Sequence, residues 1–238
     1  VLFRSIILVF IVYNFVGEYL PGYFGHRGST MEVFLDRMVY TYDGIFGTPV
    51  GVACTYVFMF VLFGQVFNAA GGGNFFFRLA ASIAGRMRGG PAKICVIASA
   101  LYGTLSGSPV SDVVTTGSIT IPLMKRVGYR PEFAGAVEAV ASSGGLIMPP
   151  VMGSIAFVMA EYTGISYLSI CKAALLPAVL YYLSLFTMIH FEALRHGLGG
   201  TPSDLIPELR SIKRKLYYLA PLALLIVLMI AGRSIIFS

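Results

Sequence analysis

Two apolar runs of fifteen residues, 91–105 and 110–124, flank a short polar link, Ser106-Gly107-Ser108-Pro109. As helix, each run covers only about 22 Å, against a hydrocarbon core about 30 Å thick. Neither crosses a bilayer alone. Arg86, Arg88 and Lys93 lie at the start of the first run, and Lys125, Arg126 and Arg130 follow the second. Basic loops collect on the cytoplasmic side. With both flanks on that side, the pair enters and leaves by the same face, as a re-entrant helical hairpin.

The premise of a membrane rests on composition. Hydrophobic residues make up 57% of the 238-residue chain and charged ones 12%, with a mean hydropathy of +0.81. A soluble domain carries about 25% charged residues. A soluble globular enzyme and a disordered chain are therefore both excluded, and the expected fold is an all-α polytopic membrane protein. The net charge of +6 does not point to nucleic acid, because the positive residues follow the loops. Segments 68–93, 125–130 and 192–215 hold twelve of the seventeen Lys and Arg residues, and alternating spans place all three on one side. Segment 23–43, on the other side, sets Arg27 and Arg37 against Glu32, Asp36 and Asp43. Cys54, Cys95 and Cys171 form no CxxC pair and read as buried small hydrophobes. The chain starts at Val1 without an initiator Met and reads as a piece of a longer protein.

The remaining spans follow from apolar length. Residues 6–23 form one span and 44–67 a second, uncharged throughout. Residues 75–88 mix Phe75, Phe76, Phe77, Leu79, Ile83 and Met87 with Arg78, Arg86 and Arg88, a pattern expected of a helix lying in the membrane interface. The hairpin occupies 91–124. Segment 131–162 is interrupted by Ser142-Ser143-Gly144-Gly145 and by Pro149-Pro150, so it reads as a discontinuous span of two half-helices. Segments 165–191 and 217–237 complete the set, with Thr201-Pro202-Ser203-Asp204 as a turn or helix start between them. Lys172 either pairs with Glu161 or extends outward.

Non-helical backbone at membrane depth persists only where protein or a water-filled cavity surrounds it. Both breaks are rich in hydroxyls, glycines and free carbonyls, hard oxygen donors that suit a bare sodium ion better than a soft metal. The candidate sodium ligands are Ser106, Gly107, Ser108, Asp112, Ser142, Ser143, Gly144 and Gly145. Ser108, Pro109, Thr115, Pro149 and Pro150 are candidate substrate contacts. Two readings of Asp112 stand open: direct cation ligand, or cap of the second hairpin arm. Glu138 is a structural hydrogen-bond partner or a proton site. No resident cofactor and no catalytic residue is expected.

The stretch Gly107-Ser108-Pro109-Val110-Ser111-Asp112-Val113-Val114-Thr115-Thr116-Gly117, continued by Thr120-Ile121-Pro122-Leu123-Met124-Lys125-Arg126-Val127-Gly128-Tyr129-Arg130-Pro131, resembles the first hairpin of TRAP transporter large membrane subunits. Ala136-Val137-Glu138-Ala139 through Ser142-Ser143-Gly144-Gly145 to Met148-Pro149-Pro150-Val151-Met152-Gly153 resembles the broken helix that follows it. The wording is most similar to the fused-permease, TAXI-type branch, although Pro109 and Ser111 stand where related chains often have Ala. The resemblance implies a sodium-driven elevator built from two inverted repeats. An extracytoplasmic TAXI-type solute-binding protein would supply it with a small organic anion, in a bacterial or archaeal cytoplasmic membrane. On that plan residues 1–43 are the tail of a fused small-subunit-like region, residues 44–238 are the first repeat, and the second repeat of the same polypeptide is missing. Two alternatives remain: a divalent-anion/sodium symporter that needs no binding protein, and an intramembrane serine hydrolase using Ser106 or Ser108 with His190.

Overall fold

The computed structural model describes residues 2–42, 44–202, 206–207 and 215–231, and every described element is helical or turn. The chain divides into two units, residues 1–51 and 52–238. The first contains α1 (Leu2–Val16), none of whose residues is buried, and α2 (Met31–Leu35), capped by the Thr30 hydroxyl. Tyr13 donates to the Phe24 carbonyl at 2.7 Å and so ties the turn after α1 back onto that helix.

The unit boundary falls inside a helical run, Thr48–Ala69, made of α3 (Thr48–Val52), a π-helical turn (Ala53–Val57) and α4 (Phe58–Ala69). After it come α5 (Gly72–Ala84), α6 (Gly90–Ser106), α7 (Pro109–Arg126), α8 (Pro131–Ser143), a 3-10 turn (Gly144–Leu146), α9 (Ser154–Thr163), α10 (Tyr167–Arg195) and α11 (Ala220–Ile230). Prolines 91, 109 and 131 each occupy the first turn of their helix, where the missing N–H costs nothing. Among the described residues, three stretches are long and apolar enough to cross a membrane: Leu2–Tyr19, Thr48–Ala69 and Tyr167–Arg195. The last expected span falls on α11, with residues 232–237 outside the described residues, as are Ser203 and Asp204 of the expected turn.

Helix α6 is the centre of the second unit, with thirteen of its seventeen residues buried. Against one side of it lies α5, through Ala80, Ala81 and Ala84 on Ile94 and Ala98. Small side chains let two helices approach closely, which is how helices associate where lipid removes the hydrophobic drive. On another side Cys95 and Val96 pack with Val137 and Ala141 of α8 and Tyr182, Leu185 and Ile189 of α10. Helix α5 corrects one expectation. It spans Gly72–Ala84 rather than 75–88, with Phe75, Phe76 and its alanines buried against protein and Ile83 exposed.

Helices α6 and α7, of seventeen and eighteen residues, lie antiparallel as the two arms of a helical hairpin. Side chains pair across them in reverse order: Ser99 with Thr116, Tyr102 with Thr115, Ser106 with Asp112. The start of α6 and the end of α7 therefore share one end of the unit. Residues 199–201 join them there, with Gly89 N–H donating to the Gly199 carbonyl and Thr201 N–H to the Gly85 carbonyl. Three segments that carry or adjoin the basic loops thus converge at one end. Lys172 is exposed and makes no ion pair with Glu161.

Candidate functional site

The opposite end of the hairpin carries the polar tip. Helix α6 stops at Ser106 because Gly107 turns left-handed at φ +55° and donates its N–H to the Gly103 carbonyl at 3.3 Å. A Cβ on Gly107 would lie 1.8 Å from the Met152 carbonyl oxygen, so only glycine allows the tip to meet the unwound stretch after α8 this closely. The next residue, Ser108, caps α7 by accepting the Ser111 N–H at 3.4 Å. That settles one reading of Asp112, since the cap of the second arm is Ser108.

Asp112 points inward instead and has no exposed surface. The Ser106 hydroxyl donates to its Oδ1, closing the hairpin from arm to arm. Its Oδ2 has no hydrogen-bond partner. That oxygen lies where a Cβ on Gly145 would be 2.7 Å away and one on Gly103 3.5 Å away. The same two glycines bring α6 and the 3-10 turn into backbone contact, a Gly103 Cβ falling 2.6 Å from the Gly145 Cα. The lone carboxylate oxygen therefore looks into the junction between the hairpin tip and the break after α8.

A second buried carboxylate, Glu138, lies deeper in the same layer. Its Oε2 accepts from the Cys95 thiol at 3.0 Å and from the Thr120 hydroxyl. Its Oε1 accepts from Thr116 at 2.5 Å and from Ser142 at 3.3 Å. Among the described residues the ion pairs are Arg130–Glu132 and Glu192–His196, so neither buried carboxylate has a cationic partner there. At the helix break two carbonyls near the end of α8 accept from α10: Tyr181 donates to Val140 O at 2.7 Å and Tyr182 to Ala141 O at 3.1 Å.

Beside the tip is a chamber of about 290 Å³. Ser106, Gly107, Ser108 and Pro109 line one side and Ser154 another, with an apolar wall that includes Phe60, Met152 and Phe157. Helices α7 and α9 begin at Pro109 and Ser154, so two helix N-termini border one chamber. Free N–H groups and the positive ends of helix dipoles suit an anion.

The candidate residues thus separate into groups. Ser106, Gly107, Ser108, Asp112 and Gly145 gather at the tip, while Ser142 is buried and turned to Glu138. Gly144 packs against the Tyr181 and Tyr182 rings. Ser143 is exposed and donates back to the Ala139 carbonyl at 2.8 Å. Thr115 lies across from Tyr102 and against α5, away from the chamber. Pro150 is buried outside the chamber, its carbonyl accepting from Tyr167 at 2.9 Å; Pro149 does not line the chamber either. Gly103 and Met152 were not singled out in the sequence, although a glycine inside the apolar first arm was a visible signal of close backbone approach. His190 does not serve the tip serines. It lies beside Lys93, with Nζ 3.0 Å from Nδ1, about 20 Å along α6 from Ser106.

The family model for the DctM component of tripartite ATP-independent periplasmic transporters matches residues 1–238. An uncharacterised protein of Salmonella typhimurium, YgiK, is 34% identical over 137 residues, 58% of this chain and 31% of that protein. The C4-dicarboxylate TRAP transporter large permease DctM of Pseudomonas aeruginosa is 30% identical over 174 residues, 73% of this chain and 39% of that one. The sialic acid TRAP transporter large permease SiaM of Vibrio cholerae is 29% identical over 143 residues, 60% of this chain and 33% of its own length. The chain spans about a third of the length of these curated relatives.

Proposed function

The chain belongs to the DctM family of TRAP transporter permeases, transporters rather than enzymes, and from that premise we propose that it carries one cation site and part of the solute path of a sodium-coupled importer of organic carboxylates. The observation that carries this reading is the unpartnered Oδ2 of Asp112, buried at the junction of the hairpin tip and the 3-10 turn. A bare carboxylate oxygen in a low-dielectric interior is costly unless a cation or proton meets it. The groups around it are oxygen donors, Ser106 Oγ and the backbone of the tip and the turn, with no imidazole or thiolate beside it. Such a set suits a hard monovalent ion. Ser106, Ser108 and Asp112 on the hairpin, with Gly145 on the turn, would hold sodium; Ser142 supports them from behind.

The solute is proposed to enter the chamber at the tip, where the starts of α7 and α9 favour its carboxylate. Relatives named for sialic acid and C4-dicarboxylate transport agree with a carboxylate class. In this reading the hairpin is re-entrant, an inverted second repeat completes the site, and a solute-binding protein of the TAXI type delivers the substrate. The convergence of segments bearing or adjoining the basic loops at the far end of the hairpin supports an orientation with that end in the cytoplasm. The permease is placed in a bacterial or archaeal cytoplasmic membrane.

The test is uptake by the full-length permease with its binding protein in proteoliposomes, with and without a sodium gradient. Uptake should require sodium, and Asp112→Asn should abolish that requirement together with most transport. Uptake indifferent to sodium, or an Asp112→Asn variant with the parental sodium response, rejects the assignment.

A further inference from the structure

Glu138 takes no part in the cation site just described, yet it touches both of its walls. A carboxylate offers about four acceptor positions. Here four donors fill them: Cys95 from α6, Thr116 and Thr120 from α7, and Ser142 from α8. No position is left for an ion, so Glu138 is not a ligand. Its side chain reaches this place because residue 117 is glycine, where a Cβ would lie 3.0 Å from the Glu138 Cγ.

From Glu138 two routes lead to the site, each one helical turn long. On the hairpin, the Thr116 hydroxyl bound to Glu138 also lies 2.8 Å from the Asp112 carbonyl oxygen. On the broken helix, Ser142 precedes by two residues the Gly144-Gly145 turn that faces Asp112. Both routes are built from short side chains on regular helix, so a change in spacing at Glu138 is passed on to the tip rather than absorbed.

We propose that Glu138 is a positioning residue for the cation site, holding the second hairpin arm and the end of α8 at the separation that sets sodium affinity. This rests on the sodium reading above. Partners that orient metal-binding groups without touching the metal commonly change affinity by about ten- to a hundredfold when replaced.

Glu138→Gln keeps the volume but turns one end of the carboxylate into an NH2 group, which then faces two hydroxyl or thiol donors. Sodium activation of uptake is measured in proteoliposomes of the full-length permease with its binding protein. The expected result is a rise of about ten- to a hundredfold in the sodium concentration for half-maximal uptake. The maximal rate at saturating sodium should be retained. A merely structural role would lower the amount of folded protein and the maximal rate without moving sodium affinity, and that outcome overturns the proposal. Thr120→Val, which removes one donor remote from the ion, should shift sodium affinity in the same direction by less. If Glu138→Gln cannot be recovered, an unchanged sodium response in both Thr120→Val and Cys95→Ala overturns it instead. A parent permease indifferent to sodium overturns the cation site itself, whereas a sodium-dependent parent with an unshifted Glu138→Gln variant overturns this inference alone.

Discussion

Gly107→Ala probes the tightest backbone approach at the hairpin tip. The residue sits at φ +55°, a conformation that costs a non-glycine residue about 1–2 kcal/mol. Its new Cβ would lie 1.8 Å from the Met152 carbonyl oxygen, and ordinary contact begins at 3.4 Å. The tip and the unwound stretch must therefore part by about 1.6 Å, and no rotamer change relieves the clash, because the atom met is backbone. Strain and overpacking together give about 2–5 kcal/mol of destabilisation. The displacement exceeds the roughly 1 Å misplacement that can cost about 10²-fold at a positioned site. Solute uptake by the full-length variant in proteoliposomes should fall by about that factor, and its thermal unfolding midpoint in detergent should drop. Gly135→Ala is the control: nothing lies within 4 Å of its Cβ, and alanine favours helix by up to about 1 kcal/mol. It should keep full transport and melt no lower than the parent. A Gly107→Ala variant with near-parental uptake and an unchanged midpoint would show that the tip does not rest on Met152.

Two further predictions concern the other end of the hairpin. Lys93 is buried over the Phe186 ring, 4.7 Å from its centroid, with its ammonium against His190 Nδ1. A lysine ammonium only donates, so the imidazole proton is on Nε2. His190→Ala should cost about 1–3 kcal/mol by leaving that donor unmet, and Lys93→Met should suppress most of the cost; a double-mutant coupling under about 0.5 kcal/mol refutes the contact. Tyr129, in the loop after α7, has a buried hydroxyl without a partner, and its titration is pushed up to about 12, by burial first and Glu192 second. Because the unfolded value is about 10, the stability its neutral form contributes is complete below that pH and is lost as pH rises through about 12. Tyr129→Phe should melt no lower than the parent at neutral pH and lose less stability between pH 10 and 12, and an unaltered alkaline profile would count against it.

The break positions were legible because they are written in residue types that act locally. Gly107 and Pro109 end one helix and start the next, and the helical arms stop within two residues of where charge and proline predicted. Which way each side chain faces was not legible. Phe75 and Phe76 form an apolar side, but lipid and a neighbouring helix are equally apolar, so periodicity alone does not choose between them. Ser142 and Ser143 are adjacent and chemically alike, yet about 100° of helical rotation separates a hydroxyl on Glu138 from one folded back on Ala139. The role of Gly103 depends on Gly145, forty-two positions later in the chain, a pairing that no local pattern encodes.

These long-range contacts bear on how a transport cycle can proceed. The polar and backbone contacts between the hairpin and the broken helix include Gly107 on Met152, Gly103 on Gly145, and Cys95, Thr116 and Thr120 on Glu138. The first two are backbone approaches that tolerate no inserted side chain, and the third supplies three of the four donors around a buried carboxylate, Ser142 of α8 being the fourth. If the hairpin swung away from α8, the Glu138 oxygens would lose the Cys95, Thr116 and Thr120 donors in an environment with little water to replace them. Each orphaned polar group would cost about 1–3 kcal/mol, and more if charged. Keeping hairpin and broken helix together avoids that cost. Hairpin and broken helix are therefore expected to stay together as one block, with the polar seam between them closed.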